Sequence, residues 1–171
     1  MTICFLRDAL EPALAPLGFR TAASPEGVAA AWVRKTWNTN RAVVLVERDA
    51  DDLGPWAQAN KLRIGTALGY FPFFYGMGLQ VVGIVPSAAG ADGFTKNGAP
   101  LVLSLDDDAL GAYVDRIDNQ RCIIQSLFAV DRAGHVAQAR TWGQLVTGRF
   151  QDAIARTLDD AARTFRRPPH A

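Results

Sequence analysis

From Thr2 to Leu17 the apolar residues Ile3, Leu6, Leu10, Leu14 and Leu17 recur every three or four positions, which predicts one face of a helix. Pro12 and Pro16 oppose a single straight helix, so a kink or break is expected near Glu11, with Gly18 as the stop. Residues 21–27, TAASPEG, read as a loop. Two strands follow, Val28–Trp37 and Arg41–Arg48, joined by a tight turn at NTN. The second, RAVVLVER, is apolar on both faces and belongs in the middle of a sheet. The first carries Arg34 and Lys35 and fits nearer an edge.

Helical spacing returns after Asp52, a candidate cap with Pro55 in the first turn. Leu53, Trp56, Ala57, Ile64, Ala67 and Leu68 share one face. Asn60 falls on the same face and needs a hydrogen-bond partner if buried. An aromatic loop, Tyr70–Gly78, leads into a strand at Leu79–Val85, again apolar on both sides. Pro72, Gly76, Gly78 and Gly83 break this run, so it cannot be a membrane-spanning helix. Ser87–Pro100 is Gly- and Ala-rich without periodicity and reads as a mobile surface loop. Residues 106–117, DDDALGAYVDRI, suit a short helix with its acids at the amino end.

A second hairpin is predicted from RCIIQSLFAV and HVAQARTW, strands at residues 121–130 and 135–142 around the turn DRAG. Thr141 and Gln144 form a capping box for a last helix running to about Phe165. Its stripe is Val146, Phe150, Ala153, Ile154, Leu158, Ala161, Ala162 and Phe165. Asp152 with Arg156, and Asp159 with Arg163, are spaced as i,i+4 ion pairs worth ~0.2–0.5 kcal/mol each.

The expected fold is α+β. One domain spans residues 1–165, with about five strands in a mostly antiparallel sheet and a solvated tail at 166–171. Its order, α-β-β-α-β-(α)-β-β-α, resembles that of profilin-like and roadblock-type domains in topology alone. No residue motif of those families is present, so no function follows from the likeness.

Composition narrows the function classes. The chain has 171 residues, 49% hydrophobic and 20% charged, the balance of a globular domain. Lys and Arg number 18 against 17 Asp and Glu, a net charge of +1, so the overall basic footprint of a nucleic-acid binder is missing. Cys4 and Cys122 lie far apart in apolar surroundings and are expected as buried, inert thiols. Arg7, Asp8 and Glu11 interrupt the amino terminus as a signal sequence, which points to a cytoplasmic protein.

Candidate chemistry is sparse. Gly76 and Gly78 precede a strand, whereas a dinucleotide loop follows one, and Val81 replaces the third glycine. Asp49–Gly54 starts like a calcium loop, but Leu53 and Asn60 stand where ligands are required. Asp106–Asp108 reads as helix capping. Glu47 and Asp49, at the end of a central strand, stand where PD-(D/E)xK nucleases keep metal-binding carboxylates. That resemblance lacks the motif lysine, for which Lys35 on the neighbouring strand is a substitute. His135 opens a strand after a turn and is expected at the surface. Asp115, Asp118, Asn119 and Arg121 read as helix-end residues.

Most of the aromatic loop is expected inside. Phe73, Phe74 and Tyr75, with Arg140 and Trp142, are candidates for a binding surface, since these residue types are enriched at interfaces. The expected function is therefore a non-catalytic binding or assembly module without cofactor, self-associating as a homodimer, with neither membrane nor nucleic acid as partner. The alternative is a metal-dependent nuclease or hydrolase using Glu47 and Asp49.

Overall fold

A computed structural model describes residues 1–36, 40–69, 77–86, 95–96, 99–100, 122–139 and 144–167. Helix α1 spans Ile3–Leu14 and passes through a 3-10 turn at Ala15–Leu17. Strands β1 (Arg20–Ala22), β2 (Ala30–Lys35) and β3 (Asn40–Glu47) form an antiparallel meander. Helix α2 (Ala50–Ala67) crosses over to β4 (Met77–Val85), which lies parallel to β3. A two-residue ladder joins β5 (Thr95–Lys96) to β6 (Ala99–Pro100). Strand β7 (Cys122–Asp131) lies parallel to β4, and β8 (Val136–Ala139) returns antiparallel before α3 (Gln144–Arg166).

The open sheet has six strands in the order β1-β2-β3-β4-β7-β8. This corrects the five-stranded, mostly antiparallel sheet and the profilin-like order. The sheet is mixed, with its three longest strands, β3, β4 and β7, parallel at the centre. Such strands are buried on both faces and need apolar residues at consecutive positions. VVLV in β3 and VVGIV in β4 supply them. The added strand, β1, is only three residues long and mostly exposed.

Each face is covered. Leu6, Leu10 and Leu14 of α1 join Phe150, Ile154, Leu158 and Ala162 of α3 over Trp32, Val43, Leu45, Val82, Ile84, Phe128 and Val130. On the other face, Leu53, Ala57 and Ile64 of α2 and Leu68, which caps it, pack on Val44, Val46, Leu79, Val81, Leu127 and Ala129. An added Cβ at Gly83 would sit 2.5 Å from one methyl of Leu53 and 2.6 Å from the other. The missing side chain is what lets α2 approach β4 this closely. A first helix broken by its prolines would leave this face poorly covered and available to a second copy; α1 instead shares the face with α3, so uncovered apolar surface gives no reason for a homodimer.

Several local expectations change. Pro12 does not break α1. It falls near the carboxyl end and forfeits only a bond to the carbonyl of Asp8, an exposed residue that water serves. Gly18, at φ +91°, ends the 3-10 turn. Asp49, not Asp52, is the N-cap residue of α2, and Ala67 is exposed. Asn60 finds its partners locally, donating to the Trp56 carbonyl at 2.8 Å and accepting from Arg63 Nε at 3.1 Å. Cys4 is exposed; Cys122 alone of the two is buried. Ile123, within the predicted strand at residues 121–130, is only half-buried. Phe165 is exposed and meets Phe5 edge-on at 5.6 Å. Arg163 pairs with Asp160 rather than with Asp159. The β5–β6 ladder lies within the stretch expected to be irregular. Among the described residues no helix is long and apolar enough to cross a membrane.

Candidate anion site at the amino ends of the parallel strands

The site is a row across the sheet where β3, β4 and β7 begin. Register sets Arg34 of β2 opposite Arg41 of β3, Arg41 opposite Gly78 of β4, and Gly78 opposite Ile123 of β7. Two arginines directly opposite on an antiparallel pair repel each other. Both lie against the Phe150 ring of α3, with guanidinium carbons 5.2 Å (Arg34) and 4.9 Å (Arg41) from its centroid. The ring is itself fixed by Phe19, edge-on at 5.7 Å. Each cation–π contact contributes ~0.5–2 kcal/mol.

Behind Arg41 the sheet carries a bulge. Ile124 pairs with Leu79 and Ser126 with Gln80, which leaves Gln125 unopposed. Ile124 and Leu127 both join the core under α2. Gln125 and Ser126 therefore turn together towards α3, as a bulge requires. The Gln125 side chain lies over Gly78, where an added Cβ would collide with its amide group, 2.7 Å from Nε2 and closer to its other atoms. Through the space left by Gly78, Arg41 Nη1 donates to Gln125 Oε1 at 2.8 Å. The same oxygen accepts from Gln80 Nε2 at 2.9 Å, and Ser126 Oγ donates to Gln80 Oε1. Gln151 of α3 donates to the Gln125 carbonyl at 2.6 Å. Gln80, Gln125, Ser126 and Gln151 are all buried.

This polar network holds Arg41 in place but brings no negative charge to it. Among the described residues neither Arg34 nor Arg41 has a carboxylate partner. Burial lowers the pKa of Arg41, and the neighbouring charge of Arg34 lowers it further. Guanidinium remains protonated even so. The result is a half-buried pair of like charges, oriented by an aromatic ring and an amide, with donors left for a ligand.

The residues singled out from the sequence lie elsewhere. Lys35 ends β2 opposite Asn40, and its ammonium lies against Gly69 just beyond α2, where the helix dipole favours a cation. Glu47 is at the other end of β3, seven residues and roughly 23 Å away at ~3.3 Å per residue. The sheet therefore does not bring Lys35 to the two acids. Asp49 is exposed at the start of α2. Glu47 borders an open cleft of about 440 Å³ with Ile3, Ile84, Arg132 and Phe165. Among the described residues no cluster of three His, Cys, Asp or Glu could hold a metal ion.

His135 is half-buried. Its Nδ1 lies 2.8 Å from Oδ2 of the buried Asp131, and its backbone N–H donates to Oδ1 at 2.9 Å. Asp131 thereby ties the two sides of the β7–β8 turn. Cys122 donates to the Lys61 carbonyl at 3.2 Å, and burial pushes its thiol up to about 12 against the opposing charge of Lys61. Phe73, Phe74, Tyr75, Arg140 and Trp142 lie outside the described residues, as do Asp106–Asp108, Asp115, Asp118, Asn119, Arg121 and Thr141.

Compared with models of known families, with curated proteins and with solved structures, the chain finds no match. The site therefore stands on its own geometry.

Arg34, Arg41, Gln80, Gln125, Ser126 and Gln151 escaped the sequence reading. A signal was present: Gln80 interrupts LQVVGIV, and Gln125 with Ser126 interrupts CIIQSLFAV. Polar residues inside otherwise apolar strands must find partners. Two in succession, both buried, imply a bulge.

Proposed function

We propose that this chain is a non-catalytic binding module whose ligand is an anion docked on Arg34 and Arg41. The observation that carries the reading is the pair itself: two opposed guanidinium groups held in place with no carboxylate partner among the described residues. Keeping like charges together costs stability, and an oxyanion between them reverses that cost. Arginine suits the role, because its planar fork of donors matches carboxylate and phosphate.

Thermal unfolding at constant ionic strength, with phosphate replacing chloride, tests it. A site of ~1 mM affinity at ~20 mM phosphate stabilises the fold by about 1.8 kcal/mol. For a chain of this size that raises Tm by roughly 4–7 °C. In Arg34→Gln the relief of one like charge offsets the lost cation–π contact to Phe150, so stability in chloride should stay within ~1 kcal/mol of the parent, and the phosphate increment should be lost. An increment of equal size in Arg34→Gln and Arg41→Gln refutes the reading. Glu47 beside the open cleft favours a second reading, a metal-dependent hydrolase using Glu47 and Asp49. Stoichiometric Mg²⁺ or Mn²⁺ binding by calorimetry, abolished in Glu47→Gln, would establish it.

A further inference from the structure

The arginine pair is part of a wider rim. Arg34 and Arg41 project towards the α1–α3 face, where both reach Phe150. Lys35, the next residue on β2, projects to the other face and lies against Gly69. Arg20 is paired with Val33, whose side chain packs with the core under α2, so Arg20 shares the face of Lys35 and is exposed there. Four cations thus occupy three neighbouring strands at one end of the sheet, two on each side of it. Among the described residues none of the four is in an ion pair. Glu11, near the carboxyl end of α1, instead accepts from Thr21 Oγ1 at 2.7 Å. Glu47, Asp49, Asp51, Asp52 and Asp131 gather at the opposite end, where β3 and β7 finish and α2 begins. Arg48, paired with Asp52, and Arg132, beside Glu47, share that end, so the acids there are partly matched, whereas the four cations of the rim are not matched among the described residues.

We infer that this rim binds the phosphodiester backbone of single-stranded nucleic acid. The inference rests on the anion reading and extends it from one oxyanion to a polyanion. Three of the four cations are arginines, which favours phosphate. The cations sit on both faces of one sheet end, on neighbouring strands ~4.8 Å apart. A flexible strand can pass over that end and meet both pairs. A rigid duplex can lie against one pair only. The rim reads charge and carries no base-specific contact, so the binding is independent of sequence.

Fluorescence anisotropy with a labelled 20-nucleotide single strand of mixed sequence is the test. Four phosphate contacts give a log–log salt slope of about −2.8, so affinity falls about 50-fold between 50 and 200 mM salt. In Arg20→Gln/Lys35→Gln the slope falls to about −1.4, while phosphate still raises Tm as in the parent. That last readout separates the two claims: a lost phosphate increment implicates the arginine pair, and an unchanged slope with the increment intact overturns only the rim. No binding at 50 mM salt, tighter binding of the matching duplex, or equal competition by a 20-residue poly-glutamate would each overturn the inference, the last by assigning the rim to acidic protein segments.

Discussion

Replacing Gly78 by alanine adds one methyl group, and the structure says where it goes. No positive φ is recorded at Gly78, so alanine fits the backbone. In a strand it is favoured over glycine by about 0.5–1 kcal/mol. The new Cβ, however, occupies the space of the Gln125 amide. Gln125 must leave, and Arg41 and Gln80 both lose their shared acceptor. A hydrogen bond to a charged donor contributes about 1.5–3 kcal/mol, and a buried amide left unpaired costs about 1–3. The net expectation for Gly78→Ala is a loss of about 2–4 kcal/mol, a large share of the ~5–15 kcal/mol that holds a domain of this size. Gln125→Ala should cost a similar amount, because the same bonds vanish. On that background the methyl group meets nothing, and Gly78→Ala should be neutral or stabilise by up to ~1 kcal/mol. The coupling is then about 3 kcal/mol, far beyond the ~0.3–0.5 kcal/mol by which independent sites depart from additivity. Urea unfolding of the four proteins measures it, provided m is unchanged. If Gly78→Ala costs the same in both backgrounds, Gln125 does not lie over Gly78 and the bulge has been misread.

Three further outcomes are expected. Val82→Asp buries a carboxylate without a partner at the centre of β4 and should abolish the folded circular dichroism spectrum; a folded variant of parental stability would remove β4 from the core. Gly83→Val should destabilise by about 1–3 kcal/mol through overpacking, and Leu53→Ala in the same chain should recover part of it in urea titrations. A thiol reagent should modify Cys4 in the native protein and Cys122 only on unfolding. Because the Cys122 thiol is pushed up to about 12, above pH 9 it ionises in the unfolded chain first, so stability should fall by about 1.4 kcal/mol per pH unit between pH 9 and 12, and Cys122→Ala should flatten that slope.

The core was legible because burial on two faces writes itself into consecutive apolar residues, as in Val43–Val46 and Val81–Val85. The same runs also carry the signature of parallel pairing, which hairpin-like connectors on either side obscured. β1 was not legible, since Arg20–Ala22 is too short to show a period. The candidate site was hidden by register. A turn at NTN alone would set Trp37 opposite Arg41 and Arg34 opposite Val44. The actual ladder pairs Lys35 with Asn40, and that shift alone brings Arg34 to Arg41. Gln125 was hidden for a related reason: strand alternation assigns it to the opposite face from Ser126, and only the bulge reverses the assignment. Lys35 and Glu47 lie on neighbouring strands, but an antiparallel pair sends the end of one to the beginning of the other.

The sheet order also bears on how the chain reaches this fold. β1, β2 and β3 pair with their immediate neighbours in sequence, so they can form early and with little loop closure. β4 reaches its sequence neighbour β3 only through a long crossover. It waits for α2 to cross the sheet before it meets β3, and its other edge stays open until the chain between Val85 and Cys122 has turned back. The most buried strand is therefore among the last to be enclosed. Until β7 arrives, β4 presents a bare ladder edge, and β3 and β4, eight and nine residues long and largely apolar, are the strands most able to pair with another copy. Parallel pairing of this kind is slow. Refolding yield should consequently depend on protein concentration more steeply than the stability of the finished domain would suggest.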